Sequence, residues 1–249
     1  METPVSTTGA REQILSVFGS LVAGAVGGWL VTRRLGRSPV YPQAQVWERE
    51  LIERHGHVKG TILAQRVQTR YAQLYAERPR FKERALRMHL ERYILPGLAL
   101  YRTLLADHAN KPAVLKETAR LLEAGLLAER DPLDVLKVLP APLFLRVAGR
   151  LTLQRDFPAA GWEVEGIEDS PDRLAFRVHH CFYQEVLAAY ETAELTALFC
   201  HLDNVRFTKL PPGLLWERTQ TLGHGDPMCD FCWRRVAPTE VSHDRNDEA

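Results

Sequence analysis

The sequence predicts an α+β protein: an N-terminal transmembrane helix and a helical half, then an antiparallel sheet of about four strands interrupted by a helix. Three observations support this fold class. Residues 13–32 carry no charged side chain, apolar residues follow helical spacing through 44–149, and short alternating runs begin after Gly161. The 249 residues are enough for one sizeable domain or two small ones.

The charge-free run, QILSVFGSLVAGAVGGWLVT, is twenty residues long, and a helix of this length spans a hydrocarbon core of about 30 Å. This run is followed at once by Arg33, Arg34 and Arg37, whereas Arg11 is the only basic residue of the tail at 1–12. A cleaved signal peptide has the opposite order of charge. The pattern therefore predicts a single-pass signal-anchor helix in the cell inner membrane, with the C-terminal domain in the cytoplasm. The alternative is a buried or interfacial helix of a soluble protein.

The charge is unevenly distributed along the chain. The formal net charge is only +1, which does not indicate a nucleic-acid partner. After the anchor, residues 33–43 are predicted to form a basic linker. Residues 33–92 hold 14 Lys and Arg against 6 Asp and Glu, a composition that suits an anionic bilayer surface or solvated helix faces. Within the anchor, Ser20, Gly24 and Gly28 are four residues apart, a spacing that favours pairing with a second copy or with a helix of a membrane complex.

The helical half follows the linker. Residues 44–76 contain no proline and supply apolar residues at helical spacing. Residues 80–107 continue the pattern, but Pro96 lacks a backbone N–H and is predicted to break or kink this helix. Two more helices are predicted at 112–128 and 132–149, each with a proline near its first turn.

The predicted sheet comes from four runs of strand character, at 162–169, 174–181, 214–222 and 228–236. The first two alternate around a short turn and predict a β-hairpin. A helix is predicted between the two pairs, over 183–203. The tail at 237–249 has little apolar content and is predicted to be disordered, so one α+β domain is expected over 44–236.

Two of the four cysteines form the C-x-x-C of the stretch MCDFCW. Side chains alternate between the faces of a strand, so Cys229 and Cys232, three residues apart, are predicted to point in opposite directions. A zinc knuckle needs converging thiols on a tight turn, and a redox pair needs the start of a helix. No metal, disulfide or cofactor is therefore predicted. Each cysteine is either a buried core thiol or a nucleophile.

Two aspartates occupy positions where burial is predicted. Asp230 is in mid-strand, and Asp203 follows an apolar helical turn three residues after Cys200, hence on the same helix face. An ionised carboxylate in a core needs partners, so these aspartates are the strongest indication of a site. His180 and Cys181 lie where a strand ends, a usual place for site residues, although His180 is equally consistent with a core histidine.

Several segments resemble the L-2-amino-thiazoline-4-carboxylic acid hydrolase family of bacteria. They are RYILPGLALYRTLL (92–105), FRVHHCFYQEVL (176–187), LFCHLD (198–203) and ERTQTLGHGDPMCDF (217–231). The resemblance implies an α+β domain and the hydrolytic opening of a small sulfur heterocycle. Cys232, where the family has a basic residue, and His224, which precedes a single glycine, depart from the family pattern.

Together, the residue patterns and the resemblance predict a catalytic set and a substrate-binding set. The catalytic set is Asp230, Cys181, Asp203 and Cys229, and the substrate-binding set is His180, Cys200, Glu217 and His224. In the resulting hypothesis, Asp230 is the general acid/base. Cys181, beside His180, is either the nucleophile or a contact for the substrate sulfur.

The main functional hypothesis is a membrane-anchored hydrolase of a small thiazoline- or amide-type substrate. The alternative is a non-catalytic ligand-binding or accessory subunit of a membrane complex. The glycine-rich anchor and the basic helices favour the alternative, whereas the cysteines and aspartates at family positions favour the hydrolase. A metal site built from His180, His224 and the two aspartates is a third hypothesis.

Overall fold

The computed structural model describes residues 39–129, 131–207 and 210–236. The chain divides into two compact units, one ending at Leu121 and the other beginning at Leu122. The predicted N-terminal tail, transmembrane helix and C-terminal tail lie outside the described residues. Within the described part, no helix is both long and apolar enough to cross a membrane. The predicted domain over 44–236 includes parts of both units, and its unity stays a prediction.

The first unit begins with two closely packed helices, α1 (Ala44–His55) and α2 (His57–Glu77). Gly56 separates them and adopts a φ of 79°, which a residue with a side chain rarely takes. At Gly60 an added Cβ would lie 2.5 Å from the Cα atom of Ile52. The two helix backbones can therefore meet there only because residue 60 has no side chain.

The helical segment around Pro96 continues without the predicted break, and the alternative, a kink, stays a prediction. It consists of α3 (Arg84–His89), a π-helical turn (Leu90–Ile94) and α4 (Leu95–Asp107). Proline offers no N–H to the preceding turn, so carbonyl groups there need other donors. The Tyr71 hydroxyl donates to the Glu91 carbonyl at 3.1 Å. The Gln43 side-chain amide donates to the Arg92 carbonyl at 3.4 Å. These two side chains help the chain to stay helical across the proline.

The helix predicted over 112–128 is confirmed as α5 (Lys111–Ala128). The helix predicted over 132–149 is wrong in its bounds. In its place are a 3₁₀ turn (Pro132–Val138) and α6 (Ala141–Asp156). Pro140, the residue before α6, has an extended backbone. Leu139 precedes this proline, and a residue in that position disfavours the helical conformation, so the 3₁₀ turn and α6 are separate segments.

The predicted antiparallel sheet of four strands is confirmed, with the spatial order β1-β2-β4-β3. The strands are β1 (Trp162–Asp169), β2 (Arg173–Cys181), β3 (Leu214–Glu217) and β4 (Cys229–Arg235). β1 and β2 form the predicted hairpin. β3 is shorter than the predicted 214–222, because the backbone N–H groups of Thr219 and Gln220 bond to the Asp230 side chain and leave the ladder.

The helix predicted over 183–203 is two helices, α7 (Phe182–Ala189) and α8 (Leu195–Phe207). Glu191 adopts a left-handed φ of 57° between them. The backbone N–H and the hydroxyl of Thr192 both donate to the Leu187 carbonyl, at 2.9 and 3.1 Å, and so close the end of α7. The chain then reverses into α8.

An aromatic core covers one face of the sheet. Phe231 on β4 stacks on Phe176 and Trp233, with ring centroids 5.1 and 6.0 Å away. Phe157, just after α6, meets Phe231 edge-on at 5.0 Å, and Phe207, at the end of α8, meets Trp233 edge-on at the same distance. The helices α6 and α8 therefore pack over this face, the one on which β4 also places Cys229.

Candidate functional site

The strand β4 divides its side chains between two environments. Cys229, Phe231 and Trp233 are buried, whereas Asp230 and Cys232 are only half-buried. The C-x-x-C thiols therefore diverge, as the alternation of a strand predicts. Cys232 accepts a hydrogen bond from the Arg173 guanidinium at 3.4 Å, away from the other thiols.

Among the described residues, no group of three or more His, Cys, Asp or Glu side chains is arranged to hold a metal ion. The hypothetical site of His180, His224, Asp203 and Asp230 does not assemble.

Three thiols form a cluster, which we call the thiol cluster: Cys181 at the start of α7, Cys200 on α8 and Cys229 on β4. Ionised Cys200 or Cys229 would lie close enough to Cys181 to raise the pKa of its thiol. Burial raises the pKa of all three thiols, that of Cys200 to about 11. The thiol cluster is therefore protonated at neutral pH and consists of S–H groups rather than thiolates.

The loop between β3 and β4 ties two of these thiols together. The Cys229 S–H donates to the Thr221 hydroxyl at 3.5 Å, and the Thr221 side chain also acts on Cys200, whose pKa it lowers against the effect of burial. The Leu222 backbone N–H donates to the Cys229 sulfur at 3.3 Å. The Asp226 carboxylate accepts the Thr221 N–H at 2.8 Å and closes the loop. Thr221 is therefore the residue on which the positions of both thiols depend.

A part-buried ion pair lies beside the thiol cluster. Arg218, whose side chain is only 5% exposed, donates to the Asp203 carboxylate at 3.0 Å. It also donates to the Cys200 carbonyl and to the Asn204 side chain, both at 2.8 Å. Since Cys200, Asp203 and Asn204 are three and four residues apart, one face of α8 meets this single guanidinium.

The Asp203 carboxyl group is suited to exchange a proton near neutral pH. Burial raises its pKa to about 6, although the Arg218 guanidinium favours the ionised form. The carboxylate charge also acts on the Cys200 and Cys229 thiols. A general acid or base works best when its pKa lies near the working pH, and Asp203 meets that condition.

A second ion network lies near Asp203. Arg155 binds Asp156 through two N–H···O bonds of 3.0 and 3.1 Å and binds Asp131 at 3.1 Å. Arg206 reaches the same two aspartates at 2.9 and 3.2 Å. Burial raises the pKa of Asp156 against the pull of Arg155, and the charge of Asp203 adds to the rise. The site therefore has a second buried carboxyl group within electrostatic reach.

Asp230, the predicted general acid/base, lies on the other face of β4. Its carboxylate accepts the Thr219 N–H at 2.9 Å, the Thr219 hydroxyl at 2.6 Å and the Gln220 N–H at 2.5 Å. Burial alone would raise its pKa, but these donors lower it below the usual value for an aspartate. This geometry favours a structural role, in which an ionised Asp230 holds the start of the loop that carries Thr221.

We expect D230N to lower the free energy of unfolding by about 1 to 2 kcal/mol. Both oxygens of the Asp230 carboxylate accept hydrogen bonds, and in asparagine an NH₂ group takes the place of one of them. Urea unfolding of the variant measures this cost. If Asp230 only holds the loop, the rate of the ring-opening hydrolysis that the family resemblance implies should stay within about tenfold of the wild-type rate. A variant of unchanged stability that has lost all activity would instead support the acid/base role predicted from the sequence.

The remaining predicted site residues lie apart from the thiol cluster. The Nε2 atom of His180 lies 2.9 Å from the Oε2 atom of Glu185. Glu217 is opposite Cys232 in the ladder, hence on the outer face, and binds Arg234 at 2.9 Å. The His224 side chain is exposed on the loop.

Sequence reasoning missed Arg218 and Thr221. Arg218 had a detectable signal, because positions 214, 216 and 218 have the same parity and the first two are apolar. An arginine that continues a buried face needs a carboxylate partner. Thr221 had no comparable signal, since its role depends on a loop between strands.

Residues 112–233 match the family model described as L-2-amino-thiazoline-4-carboxylic acid hydrolase. The match includes all four strands except the end of β4, and it includes the thiol cluster, Asp203 and Arg218. It supports the resemblance over this part of the chain, while the similar segment at 92–105 lies outside it. No curated protein and no solved structure matches the chain.

Proposed function

We propose that the second unit, which begins at Leu122, is a hydrolase-like domain that opens a small thiazoline- or amide-type substrate with water. The observation that carries the proposal is the Asp203–Arg218 pair beside the thiol cluster. All of these residues lie within the range that matches the hydrolase family model. We assign the acid/base role to Asp203 rather than to Asp230.

In the proposed reaction, the Asp203 carboxylate takes a proton from water as the water oxygen attacks the ring carbon between nitrogen and sulfur. The C–S bond then breaks, and Asp203 returns the proton to the departing sulfur. The ring nitrogen, which received the C=N electron pair during the attack, takes the second proton of the water as the oxygen becomes a carbonyl. A 2-aminothiazoline then yields an open-chain N-carbamoyl compound with a free thiol. No oxidant or reductant is needed, and Asp203 ends the cycle ionised.

We assign the thiol cluster to contacts with the substrate rather than to nucleophilic attack. Burial keeps Cys181, Cys200 and Cys229 protonated, and only a thiolate is a strong nucleophile. Protonated thiols are weak donors and polarisable neighbours, which suits a ring sulfur. Arg218 keeps Asp203 in position and favours its ionised form.

We expect D203N to lower kcat/KM for 2-amino-thiazoline-4-carboxylate at least about 100-fold, because general base catalysis contributes about 10² to 10⁴ in rate. The measurement is release of the small-molecule thiol after protein removal. In wild type the rate should rise as the pH passes about 6, where Asp203 loses its proton. D134N, which changes an exposed aspartate on the 3₁₀ turn, is the matched control. A D203N variant with the wild-type rate and pH profile would exclude this role.

A second candidate function is ligand binding without turnover. The observation that favours it is the protonated state of all three thiols, which leaves no strong nucleophile among them. On this alternative, wild type and D203N bind the thiazoline with similar affinity, and neither releases a thiol product. Calorimetry combined with the product assay therefore separates the two functions.

We also propose that residues 13–32 anchor the chain in the membrane, on the basis of their length, their lack of charge and the arginines that follow. The full chain is then expected to stay with membranes through an alkaline carbonate wash, and a chain lacking residues 1–37 to be released. Deletion of residues 2–9 alone leaves the apolar run intact and should change nothing. Release of the full chain by the wash would contradict the anchor.

A further inference from the structure

The first unit contains a groove between α2 and α4 with a volume of about 610 Å³. This size lies within the range of small-molecule sites, about 300 to 1,000 Å³. Its walls are mainly polar. They are formed by Ile62, Gln65, Arg66, Thr69, Arg70, Gln73, Thr103 and Ala106.

The middle of the groove's α2 wall carries two guanidinium groups, those of Arg66 and Arg70. Arg66 and Arg70 are four residues apart on α2 and so lie on neighbouring turns of one face. Arg70 makes no ion pair with any residue in the described part of the chain. Arg66 is 3.8 Å from Asp107, but that carboxylate is closer to Lys59, at 2.8 Å. The guanidinium groups therefore retain donors for an anion that enters the groove.

The apolar part of the lining is Ile62 and Ala106, toward the start of α2. Ile62 lies one turn before Arg66, and Val58 lies one turn before Ile62. Their side chains are exposed to 43% and 74%. Asp107, the last residue of α4, pairs with Lys59 near the start of α2, so the end of α4, including Ala106, lies beside the start of α2. The α2 wall of the groove therefore begins with an apolar residue, Ile62, next to the two guanidinium groups, and extends to Gln73.

We propose that this groove binds a phosphoryl oxyanion carried by an apolar group. Guanidinium forks match the oxygens of phosphate and form charge-assisted hydrogen bonds with them. The Gln65 and Gln73 amides supply further donors for such an anion. Ile62 and Ala106 supply a surface for the apolar part. The same chemistry occurs in a phospholipid headgroup and in a free phosphate ester, and this site is independent of the hydrolase proposal.

The test uses the full chain in a nonionic detergent, with calorimetric titration of three probes. They are dihexanoyl phosphatidic acid, inorganic phosphate and dihexanoylglycerol. We expect the phosphatidic acid to bind and the dihexanoylglycerol, which lacks the phosphate, not to bind. The double variant R66Q/R70Q should bind the phosphatidic acid at least about tenfold more weakly than wild type. R49Q, which changes an exposed arginine on α1, should leave it unchanged.

The variant I62S separates the two sources of the phosphate. If a lipid is the ligand, I62S lowers the affinity for the phosphatidic acid and leaves the affinity for inorganic phosphate unchanged. If inorganic phosphate binds as tightly as the lipid and I62S changes the binding of neither, the groove recognises the oxyanion alone, and the assignment of Ile62 to an apolar group is wrong. The proposal is overturned if neither phosphate probe binds, or if R66Q/R70Q binds them as tightly as R49Q does.

Discussion

Replacing Arg218 with methionine is expected to lower the free energy of unfolding by about 3 kcal/mol, the lower end of the usual cost of breaking a buried ion pair. The variant leaves Asp203 without its guanidinium partner and removes the donors to the Cys200 carbonyl and Asn204. Asp203 is one-third exposed, so water offsets part of the loss. Urea unfolding measures the change.

R234M is the matched control for this prediction. Arg234 also binds a carboxylate, that of Glu217 at 2.9 Å, but the two side chains are 36% and 42% exposed. An exposed pair of this kind contributes about 0 to 1 kcal/mol. The double variant R218M/D203N removes the stranded charge and should recover part of the loss. If R218M lowers the free energy of unfolding by no more than R234M does, the Arg218–Asp203 pair stabilises the fold no more than an exposed pair.

Replacing Gly223 with alanine is expected to lower the free energy of unfolding by about 2 kcal/mol. It is also expected to lower the hydrolytic activity at least about tenfold. A Cβ atom at this position would lie 2.7 Å from the Cys200 sulfur and 3.1 Å from the backbone of Ala197. The loop must therefore move away from α8. That movement breaks the bond between Thr221 and Cys229 and displaces the Thr221 side chain from Cys200.

The double variant G223A/C200A tests the cause of this effect. It removes the sulfur that the new methyl group meets, so the two substitutions together should cost about 1 kcal/mol less than the sum of the single variants. Urea unfolding of the four proteins gives this coupling free energy. Additive costs would mean that contact with Cys200 is not what requires a glycine at position 223.

Local periodicity was enough to predict part of the candidate site. Alternation along β4 placed Cys229 inside and separated it from Cys232, and the three-residue spacing on α8 placed Cys200 and Asp203 on one face. These relations hold for any strand or helix, whatever surrounds it. The bounds of the helices were less predictable, because Pro140 and the turn at Glu191 divide segments that have continuous apolar spacing.

The roles of the two aspartates were decided by the tertiary structure. Both were recognisable from the sequence as carboxylates at buried positions that need partners. Asp230 finds two backbone N–H groups and a hydroxyl at positions 219 and 220, which lower its pKa. Asp203 finds one guanidinium in a buried setting, and its pKa rises to about 6. Sequence spacing determined which face each carboxylate occupies, whereas its partners and its charge depend on the packing of loops and helices distant in the chain, which no local period encodes.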